Sequence, residues 1–178
     1  MLCLPISLLS NAQSKYFTKN ATITFYSKTA VQNIEAVNKK ALVVMDLVAN
    51  KIEFGVLIKG FEFEKALMQE HFNEDYLESD KYPKALFKGA FDNVADIPTI
   101  PSNKKISLSV KGNLTMHGVT KPISAIAVLQ IKGDIITGIT SFKVLLSDYN
   151  IKLPGVVGNN VSKEIEISVN TAAMQAIK

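Results

Sequence analysis

The sequence predicts an all-β protein, an antiparallel barrel of about eight strands with one amphipathic helix. From Thr22 onward, apolar and polar residues alternate with a period of two over most of the chain, the pattern of strands that bury one face. A single stretch has helical spacing instead, whereas a parallel sheet would need strands and helices in repeated alternation. With 178 residues, the chain has room for one domain and a short targeting segment.

The first strands are predicted by clear alternation. Ile23 and Phe25 alternate with neighbouring threonines, and residues 52–59 alternate in the same way. Between them, residues 41–48 are apolar on both faces, and Asn50-Lys51 offers a turn into the next strand. Residues 41–59 are therefore predicted to form a hairpin.

One amphipathic helix is predicted within residues 62–79, where apolar side chains recur at helical spacing among acidic and amide residues. It must end before Pro83, because a proline pushes the preceding residue out of helical conformation. The apolar positions are Leu67, Met68, Phe72 and Tyr76.

Five further alternating stretches complete the barrel. They are residues 85–91, 106–116, 123–131, 135–146 and 165–169. Tight turns are predicted at His117-Gly118 and Gly133-Asp134, and the proline-containing stretch 92–103 is predicted to be a loop. Strands joined mostly by short turns predict a closed or nearly closed antiparallel barrel.

The charge distribution argues against nucleic-acid binding. The net charge is +4, and lysine accounts for all 20 basic residues because the sequence contains no arginine. Arginine supplies the planar two-pronged contacts that read guanine and clamp phosphates. The lysines are interspersed with acidic residues, as on an ordinary solvated surface. We therefore expect no nucleic-acid partner.

The N-terminal segment has the features of a secretory signal. Residues 1–13 are uncharged and mostly apolar, and a polar stretch begins at Ser14. The run suits the apolar core of a signal peptide and is too short to span a bilayer. No basic region precedes the apolar run, as expected if the start of the sequence is truncated. The alternative interpretation of residues 1–13 is a frayed N-terminal strand. We expect a signal peptide at 1–13, the barrel domain at 14–178, a periplasmic or secreted location and no transmembrane segment.

No catalytic or metal-binding arrangement is visible in the sequence. Cys3 would be removed with the signal peptide, and the two histidines, His71 and His117, have no partner at metal-ligand spacing. The Gly-x-Ser-x-Gly turn of serine hydrolases is absent. His71 and Asp75 share a helix face, which favours a local hydrogen bond. We predict no catalytic residue, no metal and no cofactor other than a bound lipid.

The barrel interior is the feature with the most functional content. A barrel of about eight strands either fills its interior with side chains or holds one small ligand, and alternation leaves both open. Side chains two residues apart share a face of a strand, so one set of apolar side chains is predicted to face the barrel interior. Apolar side chains of the helix are predicted to cover one side of it. The predicted lining residues are Ile23, Phe25, Phe54, Val56, Ile58, Leu67, Met68, Phe72, Phe87, Phe91, Leu108, Val110, Ile165 and Ile167.

Three stretches resemble the YceI-like family. The most specific is LTMHGVTKP at residues 114–122, a strand end followed by a turn. Residues 70–89, EHFNEDYLESDKYPKALFKG, are similar to the family's helix and next strand, with Tyr82-Pro83 and Phe87 matching. Residues 142–169 are similar to its closing strands, so the resemblance extends from about Thr22 to the C-terminus.

The resemblance implies a lipocalin-like barrel that binds a polyisoprenoid or isoprenoid-quinone lipid in its apolar interior, without catalysis. Such a ligand needs few polar contacts, because each buried methylene contributes about 0.8 kcal/mol. His117, Thr120 and Lys121 are candidate contacts to a head group, and a rigid hairpin turn with a proline exit is an equally supported interpretation of the same residues.

Two other functions stay open at this point. One is an extracytoplasmic enzyme or stress factor that acts on a lipid, with His71, Asp75 and His117 as acid-base groups. The other is an interaction module with a solid core, which predicts an interior without a tunnel. The sequence does not fix the oligomeric state, and a homodimer is compatible with it.

Overall fold

The computed structural model describes residues 15–92, 97, 103–153 and 160–177. The predicted signal peptide and most of the predicted 92–103 loop lie outside these residues. The strands of the described part are β1 (Lys15–Lys28), β2 (Asn33–Asp46), β3 (Lys51–Leu57), β4 (Glu62–Phe63), β5 (Lys84–Phe91), β6 (Lys105–Met116), β7 (Val119–Lys132), β8 (Ile135–Leu145), β9 (Glu164–Asn170) and β10 (Met174–Ala176), and one helix, α1 (Ala66–His71), lies between β4 and β5.

Eight of these strands close into an antiparallel barrel. The order is β1, β9, β8, β7, β6, β5, β3 and β2, and the pairing of β1 with β2 completes the ring. Strand β4 pairs with β2, and β10 pairs with both β1 and β8. The predicted all-β, lipocalin-like barrel of about eight antiparallel strands is confirmed.

The barrel has two distinct ends. The β1–β2 turn, α1 and the β6–β7 turn lie at one end, which we call the helix end. The β2–β3 turn, the β7–β8 turn and β10 lie at the opposite end. This division follows from the antiparallel order, because successive turns alternate between the two ends.

Strands β1 and β2 extend well beyond the stretches that alternation predicted. The register of their pairing shifts between Thr18 and Ala21 and again between Ala21 and Ile23. A bulge inserts an unpaired residue and changes which face the following side chains occupy. The period-two pattern is therefore interrupted, and the strand begins at Lys15 rather than near Thr22.

The predicted helix at 62–79 is too long. Phe63 pairs with Ala36 of β2, so the start of this stretch is a strand. The α-helix covers Ala66–His71 and continues as a single π-helical turn over Phe72–Tyr76. The backbone groups of β4 are taken up by β2, and the helix can begin only after that pairing ends.

Both predicted tight turns are present. His117 and Gly118 have φ of 51° and 74°, the two positive values of a type I′ turn, and join the paired residues Met116 and Val119. Gly133 has a φ of 58° in the β7–β8 turn.

Candidate functional site

The barrel encloses a cavity of about 370 Å³ that side chains from all eight barrel strands line. This volume falls within the range of small-molecule pockets in proteins, about 300 to 1,000 Å³. Lysine, arginine, aspartate and glutamate are all missing from the described lining residues. The wall can therefore exclude water from an apolar ligand and offers no charge to an ionic one.

Buried side chains fill the end of the barrel opposite the helix. Ile97, Ile136 and Met174 have no exposed surface, and Leu108 is almost fully buried beside them in the core. At the helix end, the lining includes side chains that reach solvent, among them His71, which is half exposed. We therefore identify the helix end as the mouth of the cavity.

Four phenylalanines fasten the helical segment to the barrel at this mouth. Phe25 of β1 stacks on Phe72 with 5.3 Å between ring centroids, and it meets Phe63 edge to face at 5.4 Å. Phe61 contacts Phe25 and Phe72 at 5.8 and 5.7 Å. Paired rings of this kind add about 0.5–1.5 kcal/mol each beyond burial of their area. All four rings also line the cavity, so the cluster both attaches the helical segment to the barrel and forms part of the cavity wall.

Two glycines on the inner wall make room for an aromatic ring. Gly89 of β5 and Gly112 of β6 are paired, and a Cβ on either one would lie about 2.5 Å from Cζ of Phe87. A Cβ at Gly112 would also lie 2.3 Å from the carbonyl oxygen of Lys88. The Phe87 ring thus lies over bare backbone and leaves volume free inside the barrel.

The structure places nearly all of the predicted lining residues on one cavity. Leu67 is an exception, because its side chain is 62% exposed on the outer face of the short α1. Leu108 is the other, since it is buried in the packed core below the cavity. The residues that do line the cavity are Ile23, Phe25, Phe54, Val56, Ile58, Met68, Phe72, Phe87, Phe91, Val110, Ile165 and Ile167.

The prediction took no lining residues from β7 and β8, and both strands contribute to the wall. Their inner positions include Ile123, Ala125, Ala127, Leu129, Phe142 and Val144. The alternation that predicts inward-facing residues on the other strands also predicts these positions on β7 and β8. The polar lining residues Gln32 and Asn160 lie in connections between strands, where no periodicity indicates a side chain's direction.

The residues predicted to meet a head group lie away from the cavity. None of His117, Thr120 and Lys121 lines it. Nδ1 of His117 is 2.9 Å from the Tyr149 carbonyl oxygen, and Nε2 is 2.8 Å from Oε2 of Glu78. Thr120 shares a hydrogen bond with Thr115 on the outer surface, and Lys121 is exposed. This geometry favours the rigid-turn interpretation over the head-group interpretation.

The proposed acid-base trio is not brought together. His71 lies at the mouth with its Nδ1 2.6 Å from Oδ2 of Asp75, whereas His117 belongs to the separate Glu78 and Tyr149 cluster. Among the residues that the structure describes, no group of three potential ligands could hold a metal ion.

Tyr76 also lines the mouth of the cavity. Burial, with a further contribution from the Asp75 carboxylate, raises the pKa of Tyr76. Its hydroxyl therefore stays protonated and can donate a hydrogen bond. The mouth thus offers hydrogen-bond donors and acceptors to a ligand.

The described residues contain no helix with the length and apolar character needed to cross a membrane.

In the part of the chain that the structure describes, the fold and cavity define a class, a small antiparallel barrel with an apolar internal pocket. The sequence model of the YceI-like domain matches residues 11–173, and the chain belongs to this family. A search of curated protein sequences finds no match.

Solved structures show the same fold. The chain is similar to a polyisoprenoid binding domain from Saccharophagus degradans implicated in plant cell wall breakdown, with a TM-score of 0.78, 12% identity, and 93% of this chain and 99% of that chain covered. It is similar to BcnA of Burkholderia cenocepacia, with a TM-score of 0.69, 17% identity, and coverage of 86% and 95%. The YceI protein of Campylobacter jejuni follows, with a TM-score of 0.56, 18% identity, and coverage of 78% and 81%.

Proposed function

We propose that the protein is a non-enzymatic carrier that holds a long apolar lipid, of the polyisoprenoid or isoprenoid-quinone type, inside its barrel in the cell envelope. The observation that carries this proposal is the cavity of about 370 Å³, lined from all eight barrel strands by described residues that include no lysine, arginine, aspartate or glutamate. The polyisoprenoid-binding description of the Saccharophagus degradans domain, which shares the fold, supports the same ligand class.

The cavity is suited to binding and offers little for catalysis. The driving force for a prenyl chain is the removal of apolar surface from water, about 25 cal/mol per Å². Acid-base chemistry would need groups of both roles facing the reacting atoms, and the described lining contains one histidine, His71, and no aspartate, glutamate or lysine. The apolar N-terminal segment supports export, which mass measurement of the exported chain would test.

The ligand can be identified directly. The protein is purified from its own host without detergent, extracted with organic solvent, and the extract is analysed by mass spectrometry. We expect a prenyl lipid or quinone at a reproducible molar ratio to protein. Repeated extraction without any such lipid would contradict the proposal.

A paired substitution tests whether the cavity is the binding site. Ala125 faces the cavity on β7, and its neighbour Ile126 points outward with 59% of its side chain exposed. Ala125→Phe should fill part of the cavity and weaken binding of an uncharged fluorophore such as Nile red by about tenfold or more. Ile126→Phe adds a similar ring on the outer face and should bind like the wild type. Equal affinities for both variants would place the binding site elsewhere.

A further inference from the structure

The polarity of the cavity is concentrated at its mouth. Among the residues that the structure describes, the hydrogen-bonding side chains that line the helix end are Ser27, Gln32, His71, Tyr76 and Asn160. Deeper in the barrel, the polar lining residues are Thr140 and Thr171, and their hydroxyls already donate to backbone carbonyl oxygens. A lipid in this cavity therefore has one place for a polar head group, the mouth.

The described lining of the mouth contains no side chain with a permanent positive charge for an anionic head group. The described lining residues include neither lysine nor arginine. Beside the lining residue His71 lies the carboxylate of Asp75, with Oδ2 2.6 Å from Nδ1 of the imidazole. A phosphate moved here from water would lose its hydration without gaining a lysine or arginine partner, and it would approach the Asp75 carboxylate.

The direction of the hydrogen bond between His71 and Asp75 follows from their chemistry. An ionised carboxylate only accepts hydrogen bonds, so Nδ1 of His71 is the donor in this contact. Nε2 has no hydrogen-bond partner among the residues that the structure describes. In the neutral ring this nitrogen carries a lone pair, which accepts a hydrogen bond from a hydroxyl group.

We propose that the mouth selects a lipid with an uncharged, hydroxyl-bearing head group, with Nε2 of His71 accepting the hydrogen bond and Asp75 holding the ring in the required tautomer. This inference rests on the proposed function, since it concerns the head group of the carried lipid. It narrows the ligand class to alcohols of the polyisoprenoid type and excludes their phosphate esters.

The test is competition for the cavity. Nile red bound to the full-length protein is displaced by a prenyl alcohol and, separately, by the prenyl diphosphate of the same chain length. We expect the alcohol to bind at least about tenfold more tightly, because burial of an unpaired charge is costly. A diphosphate that binds as well as the alcohol, or better, would overturn the inference.

Variants of the pair separate hydrogen bonding from packing. His71→Phe keeps an aromatic ring but removes the acceptor, so affinity for the alcohol should fall about three- to tenfold while affinity for a hydrocarbon of equal length is unchanged. Asp75→Asn removes the repulsive charge and should narrow the gap between alcohol and diphosphate. Glu70→Gln, an exposed site on the same helix that does not line the cavity, is the control. If His71→Phe weakens the alcohol and the hydrocarbon equally, His71 only packs and the inference fails.

The outcomes distinguish this inference from the proposed function. If Nile red does not bind, or no lipid displaces it, the carrier function itself is refuted. If lipids displace the fluorophore but the diphosphate is preferred, the carrier function stands and the head-group assignment is wrong.

Discussion

Val56 of β3 provides a direct test of the inner wall, because a carboxyl group at this position would have no partner. Its side chain is 8% exposed and lines the uncharged cavity. Val56→Asp removes the burial of a valine, worth about 1.5–3 kcal/mol. It also buries an unpaired polar group, at a cost of about 1–3 kcal/mol. We expect the free energy of unfolding to fall by about 3 to 6 kcal/mol, a large part of the stability of an ordinary domain.

The loss should depend on pH in a defined direction. Burial raises the pKa of the introduced carboxyl in the folded state above its unfolded value of about 3.9. Between these two pKa values the folded state holds the extra proton, so the destabilisation grows by about 1.4 kcal/mol per pH unit as pH rises and levels off above the folded pKa. Urea unfolding at about pH 5 and pH 7 measures this difference, and the loss should be smaller at the lower pH.

Glu53, which lies on the outer face of the same strand, is the control for Val56. Its side chain is 50% exposed and lies 3.8 Å from Nζ of Lys88, an ion pair of a kind worth about 0–1 kcal/mol. Glu53→Ala should therefore leave both stability and Nile red binding close to the wild type. If Val56→Asp were neutral at both pH values and Glu53→Ala stripped the ligand, the assignment of inner and outer faces on β3 would be wrong by one residue.

Three further predictions concern stability. His117→Ala removes two hydrogen bonds from a side chain that is 9% exposed and should cost about 1–3 kcal/mol in urea unfolding, while Nile red binding, in which His117 takes no part, stays unchanged. Gly112→Ala should cost about 1–3 kcal/mol, because its Cβ would meet the Lys88 carbonyl oxygen and force β5 and β6 apart; wild-type stability would disprove that close approach. A hydrogen bond from the Ala49 amide, with Lys15 nearby, holds the pKa of Asp46 below its usual range, so its stabilising contribution is present at neutral pH and lost as pH falls through that lowered pKa. Asp46→Asn should flatten this part of the acid dependence, and an unchanged pH profile would contradict the assignment.

The sequence predicted the barrel well because alternation reports directly which side chains face inward. It worked on β3 and β5, where Phe54 and Phe87 pair across the strands and both line the cavity. It failed at the start of β1, because the bulge near Thr18 and Ala21 breaks the period. It also failed for the helix, where pairing of Phe63 with β2 overrides a local helical pattern.

The site was harder to predict than the fold, since its polar part comes from segments without periodicity. Gln32 and Asn160 reach the mouth from connections whose course depends on tertiary packing. The amide of Ser162 donates to the buried hydroxyl of Ser27, a contact between residues 135 positions apart in the chain. Only the assembled barrel brings such groups to one rim.

The most specific sequence signal and the cavity occupy different parts of the molecule. The turn at His117 and Gly118 contacts two other segments of the chain. Its imidazole is hydrogen-bonded to Glu78, which follows the helix, and to the carbonyl oxygen of Tyr149, which follows β8. Tyr82 packs edge to face on the same imidazole, with 4.6 Å between the ring centroids. Both of the segments it contacts also supply walls of the cavity, through Leu77 on one side and Leu146 and Ile151 on the other. The residues of the turn thus stabilise the packing of these segments, whereas the lining itself needs only apolar side chains of suitable size. The signature turn therefore bears on the stability of the barrel, whereas the proposed selection of the head group rests on His71, a lining residue at the mouth.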